Sequence, residues 1–343
     1  MNSLEGTDDR VLANSVRLAR NPPVNIAPED EHLFRAEYTR DIPAFLIDSL
    51  GAAYIDENHF IFEKFKILDI SLALNRMDKM SLLGLVRFFI KSYLLKKTVH
   101  VSSRAFVVTD NWSGGFFHWM LDVIPKIASL YKMDPEFVFL ISEDTYQVAY
   151  VKESMRLMGI ENFYTLKKNR IYHFDRLEII SPIGYTGNFH PRMIEISRSF
   201  FHKTLNATSG SCIYVSRKKA SRRRIVNEDD IIYYLGTRNF EIVCLEDHNL
   251  EEQIKIISRA KMVVSVHGAA LSHLMFMHSS SRVLEIRGEN DAIRNCYFSL
   301  ASVLSIDYHY YLAKEADEGS DEDLLVDLSA FEVCIDTFVK GGE

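Results

Sequence analysis

The pair of residues best suited to acid–base chemistry is His118 with Asp122, in the segment 114–127, GGFFHWMLDVIPKI. The apolar pattern predicts a helix over 116–131, and residues four apart on a helix share one face. A carboxylate beside an imidazole orients the ring and supports its charge, which suits a general base. The same contact fits a core histidine that a nearby aspartate satisfies, so both interpretations stay open. Pro125 is expected to limit or kink this helix.

A second candidate site is the turn His267-Gly268-Ala269-Ala270, which follows the apolar, β-branched run 262–266. The run predicts a strand buried on both faces, and the spacing beyond the turn predicts a helix. Small residues let a ligand approach the backbone, and unpaired N–H groups at a helix start favour an anion such as phosphate. The next predicted strand, 283–286, places Glu285 near its carboxyl end, where ligands bind in open α/β sheets. An ordinary strand–turn–helix with a structural histidine is the alternative.

Positive charge is concentrated in residues 217–224, RKKASRRR, of which six are basic. The whole chain has 40 basic and 47 acidic residues, a net charge of −7, so the remainder carries −13. The run precedes a predicted helix, 227–235, that Asn227 can cap, and follows a predicted strand. Guanidinium groups at that sheet edge can fork onto a diphosphate, and we expect Arg217 and Arg223 to reach a ligand. The other four are expected to form a solvated loop or a patch for acidic lipids.

The elements that must position these residues alternate between strand and helix from residue 104 onward, which predicts an α/β fold with parallel sheets. Residues 1–50 are expected to be irregular, 54–70 to form strands and a hairpin, and 80–95 to form a packed helix. The length of 343 residues suits two domains, with a polar linker at 206–211. We expect an N-terminal acceptor-side domain over 1–205, a nucleotide-sugar-binding domain over 206–312, and an acidic loop and terminal helix over 313–343 that pack back on the first domain.

Composition argues against several classes of protein. The content of 47% hydrophobic residues supports packed cores, and the negative net charge argues against general nucleic-acid binding. Four widely spaced cysteines indicate buried free thiols in a reducing compartment, and the polar N-terminal sequence predicts no signal peptide, so we expect a cytoplasmic protein. The Cys, His and acidic residues show no spacing typical of metal ligands. The sequence also contains neither a G-x-G-x-x-G motif nor a P-loop motif, which argues against a dehydrogenase and against a P-loop nucleotide-binding protein.

Taken in order, these motifs resemble glycosyltransferase family 61, which includes plant xylan transferases, animal O-linked N-acetylglucosamine transferases and bacterial-type polysaccharide-biosynthesis enzymes. Two departures stand out: Gly114-Gly115-Phe116-Phe117 replaces an Asn common before the H-W pair, and Ala270 replaces a common Gly. The matching residues are His118, Trp119, Asp122 and Pro125; Ser216 and Arg217; Arg223, Asn227 and Glu228; His267, Gly268, Ala269 and Leu271; and Leu284 and Glu285.

The resemblance implies a GT-B fold, in which two Rossmann-like domains face each other across a cleft. It also implies inverting transfer from a nucleotide sugar, the donor substrate, with no metal and no cofactor. The implied roles are diphosphate binding by Arg217, Arg223, His267, Gly268 and Ala269, proximity of Glu285 to the nucleotide ribose, and an acceptor-side base that is either His118 or Asp122.

From this resemblance we expect transfer from a UDP-linked sugar to a glycan or lipid-linked saccharide in surface polysaccharide (capsule or lipopolysaccharide) synthesis. A peripheral contact with the inner face of the membrane is expected through the basic run, and no nucleic-acid partner. The alternative is a non-catalytic sugar-nucleotide-binding or scaffolding subunit of a polysaccharide-assembly complex. A hydrolase ranks last, because the sequence has no nucleophile motif such as G-x-S-x-G.

Overall fold

Two large β-sheets organise the part of the chain that the structure describes. This computed structural model describes residues 10–74, 81–205, 210–289, 294–316 and 323–341. Contacts divide the chain into two compact units. Unit 1 comprises Met1–Val16, Asp41–Thr186 and Arg192–Phe200, and unit 2 comprises Arg17–Arg40, Gly187–Pro191 and Phe201–Glu343.

The strands of the described residues form sheets of eight, six and two strands. In chain order they are β1 (Val11–Ala13), β2 (Val16–Ala19), β3 (Thr39–Ile42), β4 (Phe45–Asp56), β5 (Ile61–Glu63), β6 (Lys66–Ile67), β7 (Lys97–Val107), β8 (Val138–Ser142), β9 (Phe163–Leu166), β10 (Arg170–Ser181), β11 (Ser211–Val215), β12 (Phe240–Val243), β13 (Ala260–Val266), β14 (Arg282–Gly288), β15 (Asp307–Glu315) and β16 (Leu324–Leu325).

Helices connect most of these strands. The α-helices are α1 (Glu31–Phe34), α2 (Asp69–Leu74), α3 (Leu82–Ile90), α4 (Phe116–His118), α5 (Ile124–Met133), α6 (Glu143–Gln147), α7 (Ala149–Met158), α8 (Pro191–Phe200), α9 (Glu228–Thr237), α10 (Leu250–Ser258), α11 (Cys296–Val303) and α12 (Leu328–Lys340). Short 3₁₀ helices cover Pro28–Asp30, Arg35–Glu37, Leu245–Asp247 and Ala269–Phe276, and π-helical turns cover Lys91–Leu95 and Trp119–Val123.

The sheet of unit 1 has the order β6–β5–β4–β10–β7–β8–β9, and β1 also pairs with β4. Strands β10, β7, β8 and β9 are mutually parallel neighbours, because helical segments separate β7, β8 and β9 along the chain. Strands β4, β5 and β6 are antiparallel, because short turns connect them. The carboxyl ends of β7, β8 and β9 therefore meet at one edge of the sheet.

The sheet of unit 2 is parallel over the order β12–β11–β13–β14–β15, and β16 adds antiparallel to β15. Strands β13 and β14 are buried along nearly their whole length, as in parallel sheets covered on both faces. The chain moves from β11 to β12 on one side and returns to β13 on the other side. Ligands of doubly wound sheets bind at such a reversal, beyond the carboxyl ends of the strands.

The predicted α/β alternation is confirmed in both units. The prediction that residues 1–50 are irregular is wrong for the described residues from 10 onward, which include β1 to β4. A helix forms as predicted within 80–95, and its aromatic side packs on β5, although no residue of α3 is fully buried. The cysteines are free as expected but only half-buried. None of the described helices is both long and apolar enough to cross a membrane.

The ends of the predicted domains differ from the compact units. Residues 17–40 belong to unit 2, although the sequence places them in the N-terminal domain. Helix α12, predicted to pack back on the N-terminal domain, instead buries Phe331, Ile335 and Phe338 in the core of the unit 2 sheet. Residues 206–209 of the predicted linker and 317–322 of the acidic run lie outside the described residues.

His59, in the turn between β4 and β5, is buried and has a left-handed backbone with φ of 60°. The Thr109 hydroxyl donates to the Leu140 carbonyl at 3.0 Å, so it accepts from His59 Nε2 at 2.7 Å. Nε2 therefore carries the proton, and the ring is neutral. Burial lowers the pKa of His59 to about 4, although the nearby Asp110 charge and Asn111 act in the opposite direction.

We expect the unfolding free energy to fall between pH 6.5 and 4, because unfolded His59 takes up a proton before the folded state does. The contribution of this residue is complete above pH 6.5 and falls by about 3 kcal/mol on acidification. His59→Asn, which tolerates the left-handed backbone, should reduce the pH dependence measured by urea unfolding. An identical pH slope in both proteins would contradict a buried neutral His59.

Candidate active site

The helical segment that carries His118 runs through α4, the π-helical turn Trp119–Val123 and α5. Pro125 lies in the first turn of α5 and cannot donate a backbone hydrogen bond. The N–H of Ile124 instead bonds to the carbonyl of Trp119, five residues earlier, which widens the turn. Pro125 is expected to limit or kink the helix, and the regular α-helix is interrupted before it by the π-helical turn, although the helical segment continues through α5. The widened turn accommodates the proline, and it includes Asp122 and directly follows His118.

His118 and Asp122 contact each other as the spacing predicts, with His118 Nδ1 at 2.7 Å from Asp122 Oδ2. The Thr186 hydroxyl donates to the same carboxylate, at 2.9 Å from Oδ2 and 3.1 Å from Oδ1. An ionised carboxylate only accepts, so Nδ1 carries the proton and Nε2 keeps its lone pair in the neutral ring. Within the described residues, no hydrogen-bond partner reaches Nε2. The side chains are 20% and 16% exposed, so solutes can reach the pair.

Two tryptophans frame this pair. Trp119 is fully buried and donates from Nε1 to the Ser154 hydroxyl at 2.8 Å, which anchors the π-helical turn to α7. Trp112 is 48% exposed, and its ring lies 5.9 Å from the His118 ring. Asp110 Oδ1 holds the intervening loop by accepting from the Trp112 N–H at 2.9 Å. An exposed aromatic face beside the imidazole suits stacking against an apolar face of a ligand.

A polar cavity of about 490 Å³ opens in unit 1 at the carboxyl edge of its parallel strands. Gly114, four residues before His118, is part of its wall. Carboxylates, amides and ammonium groups dominate the lining, which suits a ligand rich in hydroxyl groups. They include Glu57, Asp110, Asn111, Glu143, Lys91 and Lys168.

In unit 2 the structure brings Arg217 and Gly268 together at the strand reversal. Arg217 follows β11 and Gly268 follows β13, and these strands are neighbours. A Cβ placed on Gly268 would overlap Nη1 of Arg217 and come within 2.9 Å of its Cζ. The φ of Gly268 is 165°, an extended backbone that any residue adopts. The glycine is therefore required by the approach of the guanidinium.

The loop after β11 holds Arg217 in place from both sides. Nε donates to the Arg223 carbonyl at 3.1 Å and Nη2 to the Arg222 carbonyl at 2.9 Å. Glu228 Oε1 accepts from the Arg217 N–H at 3.1 Å. Burial and then the neighbouring Arg223 charge lower the pKa of Arg217. Arg223 and Arg217 thus form a concentration of positive charge that a bound anion would relieve.

Three other cations of the basic run are paired with carboxylates. Lys218 pairs with Asp229, Lys219 with Asp247, and Arg224 with Asp323 at 2.9 Å. The predicted cap by Asn227 is wrong, because its side chain binds the backbone of Val326 instead, at 2.9 and 3.1 Å.

His267 forms a second histidine–carboxylate pair, in which Nδ1 contacts Glu285 Oε1. Glu285 is fully buried, and its other oxygen accepts from the Tyr308 hydroxyl. Burial by itself raises the pKa of Glu285, but His267 and Arg287 outweigh it and hold that pKa below its ordinary value. Each carboxylate oxygen has a partner within the chain, so Glu285 orients His267, and its proximity to the nucleotide ribose stays a prediction.

The turn between β13 and β14 differs from the expected α-helix. Ala269 begins a 3₁₀ helix that ends at Phe276, and Ala269 is exposed next to the buried Gly268. The first N–H groups of a 3₁₀ helix also lack partners within the helix, so anion binding at this turn stays a prediction.

Sequence reasoning missed Thr186 and Tyr308, which complete the two histidine–carboxylate pairs from distant parts of the chain. Neither lies in a recognisable motif. Within the described ranges, no group of three or more His, Cys, Asp or Glu side chains is arranged to hold a metal ion.

A comparison with protein families matches residues 116–284 to the model of Glycosyltransferase 61. The chain belongs to glycosyltransferase family 61. The matched segment begins at α4 and ends within β14. It therefore includes His118, Asp122, Thr186 and His267, whereas Glu285 and Tyr308 lie beyond its end.

Curated proteins related to this family 61 chain are named for different targets: O-linked mannose, EGF domains and xylan. This chain is 34% identical over 99 residues to protein O-linked-mannose beta-1,4-N-acetylglucosaminyltransferase 2 of Danio rerio. That match covers 27% of this chain and 17% of the Danio rerio protein. The chain is 27% identical over 186 residues to EGF domain-specific O-linked N-acetylglucosamine transferase of Mus musculus, covering 51% and 32%. Xylan glycosyltransferase MUCI21 of Arabidopsis thaliana is 30% identical over 148 residues, covering 41% and 26%. The matches thus span a third or less of each relative.

Gly268→Ala should weaken binding of UDP about 10- to 100-fold, because the new methyl group displaces the Arg217 guanidinium from charge-assisted hydrogen bonding. Stability should change little, because the displaced group is the tip of a flexible side chain. Gly236→Ala is the matched control: its Cβ meets open space in α9, so UDP binding should stay unchanged. Titration calorimetry measures both. Wild-type affinity in Gly268→Ala would contradict the role of this contact.

Proposed function

We propose that this family 61 chain is an inverting, metal-independent glycosyltransferase with a GT-B fold. Unit 2 would bind a nucleotide sugar, with UDP as the expected nucleotide, and unit 1 would bind the acceptor. Transferase activity is supported by the family and by the names of its relatives. The observation that carries the mechanism is the His118–Asp122 contact, which leaves Nε2 of His118 with a lone pair.

The proposed reaction is a single displacement at the anomeric carbon. Nε2 of His118 takes the proton of an acceptor hydroxyl as its oxygen bonds to the anomeric carbon. The bond from that carbon to the diphosphate oxygen breaks, and the electron pair leaves with the nucleoside diphosphate. Asp122 holds the ring in the required tautomer and stabilises the imidazolium that forms. Its own oxygens accept from His118 and Thr186, which favours His118 over Asp122 as the base.

The departing diphosphate needs positive charge, which we assign to Arg217 and Arg223. The turn His267-Gly268-Ala269 adds an imidazole and backbone N–H groups, with Glu285 orienting His267. Two guanidinium groups already supply the charge that a divalent ion would contribute, so the proposed step uses no metal and no cofactor.

We further propose a saccharide acceptor, bound in the polar cavity of unit 1 and stacked on Trp112. The cavity lining supports hydrogen bonding to hydroxyl groups. By the resemblance of the motifs, the acceptor belongs to surface polysaccharide synthesis and is a glycan or a lipid-linked saccharide. We also propose a cytoplasmic location at the inner face of a membrane, which the composition and the cationic segments of the sequence favour.

The decisive experiment combines binding and turnover across a panel of nucleotide sugars. A donor that binds the folded state should raise the melting temperature, and Arg217→Ala should abolish that shift. The same donor should be consumed in the presence of saccharide acceptors, with inversion at the anomeric carbon seen by NMR. Donor binding with no transfer or donor hydrolysis over a broad acceptor panel would instead support a non-catalytic sugar-nucleotide-binding or scaffolding subunit.

His118→Ala should lower kcat by about 10²- to 10⁴-fold with little change in donor affinity, because it removes the general base. Asp122→Asn should lower kcat at least as strongly, since an amide donor can pin the imidazole in the wrong tautomer. His248→Ala is the control, because His248 also faces a carboxylate four residues away, Glu252 at 3.8 Å, outside the site. Near-normal turnover in both test variants would refute the assignment.

A further inference from the structure

The outer face of α3 in unit 1 exposes an unusual set of large apolar side chains. Leu82, Val86 and Ile90 recur every four residues, so they form one stripe along the helix. Leu83 and Leu94 extend it, and these five residues are called the α3 apolar face. Their exposed fractions run from 47% for Val86 to 78% for Leu82. Contiguous apolar surface of this kind marks an interaction site.

The opposite side of α3 packs on strand β5 and the turn that follows it. The helix therefore has a packed side, and the α3 apolar face is a second, exposed side. Phe88 lies 5.3 Å from the Phe62 ring of β5, and Phe89 lies 5.8 Å from both Phe62 and Phe65. Ser81 caps the start of the helix by accepting from the Gly84 N–H at 3.1 Å. The helix is thus fixed on the sheet by its aromatic side and presents its leucines outward.

Cations border the α3 apolar face. Residues 81–97 include four basic residues and no acidic one, although the chain as a whole carries −7. Lys96 is buried and pairs with Asp56 and Glu57, whereas Arg87, Lys91 and Lys97 are exposed.

The neighbouring turn adds Lys64 and Lys66 on either side of Phe65, against one carboxylate, Glu63. Phe65 is 78% exposed and extends the apolar surface.

We propose that the α3 apolar face docks on the surface of an anionic lipid bilayer, with α3 lying in the interfacial plane. Leucine, valine and isoleucine side chains would enter the boundary between headgroups and acyl chains, while Arg87, Lys91 and Lys97 contact anionic headgroups. The apolar stripe with a cationic border is complementary to an anionic lipid surface. A symmetric dimer through the same face would instead place the Arg87, Lys91 and Lys97 cations of one copy against those of the other. The basic run 217–224 is less suited, because three of its cations pair with carboxylates.

This docking is independent of the proposed transfer reaction, yet it fits a lipid-linked acceptor. Lys91 belongs both to the border of the α3 apolar face and to the wall of the polar cavity. A saccharide attached to a lipid in the same bilayer would therefore reach that cavity from the side on which the protein is docked.

The test is co-sedimentation of the full chain with vesicles made of phosphatidylcholine and phosphatidylglycerol in equal amounts. The wild type should sediment with these vesicles and bind pure phosphatidylcholine vesicles more weakly. Leu82→Gln with Leu94→Gln should reduce binding at least about tenfold, because two apolar anchors are lost. Arg87→Glu should reduce binding to the anionic vesicles about fivefold or more.

Val333→Gln is the matched control, since Val333 is a 69% exposed apolar residue of α12 in unit 2. It should leave vesicle binding unchanged, and circular dichroism should show that every variant is folded, because only exposed side chains are altered. Absence of vesicle binding, or binding that survives Leu82→Gln with Leu94→Gln, overturns the proposal. A wild-type dimer that this double variant converts to a monomer, without vesicle binding, would instead assign the face to a second copy. Donor binding and transfer to a water-soluble acceptor, measured alongside, test the proposed function separately.

Discussion

The close approach of the Arg217 guanidinium to Gly268 is the interaction on which the candidate donor site depends. It exists because β11 and β13 are neighbours at the strand reversal, so the loops that follow them share one crevice. The absence of a side chain at Gly268 gives the guanidinium its room, and the carbonyls of Arg222 and Arg223 hold it there. Glu228 fixes the start of the same loop, and the Tyr214 hydroxyl donates to it at 2.8 Å.

The two histidine–carboxylate pairs share one hydrogen-bond arrangement but differ in their exposure to solvent. In each, a carboxylate accepts from Nδ1 and a hydroxyl from elsewhere in the chain donates to that carboxylate. Asp122 is partly exposed and belongs to a helix, so its histidine can exchange protons with a bound molecule. Glu285 lies in β14 and is fully buried, so its contribution is to orient His267. The proposed function therefore assigns the same residue types to proton transfer in unit 1 and to anion recognition in unit 2.

Charge is distributed unevenly over this acidic chain. Three of the six cations of the basic run pair with Asp229, Asp247 and Asp323, whereas burial, together with the neighbouring Arg223 charge, lowers the pKa of Arg217. Beside α3 the cations border apolar side chains instead, and that pairing gives the surface a different chemistry. A count of lysines and arginines along the sequence cannot separate these two situations, because the distinction depends on which carboxylates lie nearby in space.

The sequence by itself determined the α/β class, most elements from β7 onward, the His118–Asp122 contact and the placement of Arg217 beside the His267-Gly268 turn. These follow from local periodicity and from the rule that parallel strands end at one edge, so short-range information suffices. Only the tertiary structure decided that Glu285 is buried behind His267, that Thr186 and Tyr308 complete the pairs, that α12 belongs to the unit 2 core, and that α3 faces outward. Each of those features depends on contacts between residues far apart in the chain. The hydrophobic pattern of a sequence shows that a side chain is apolar, but it does not show whether another part of the protein covers that side chain.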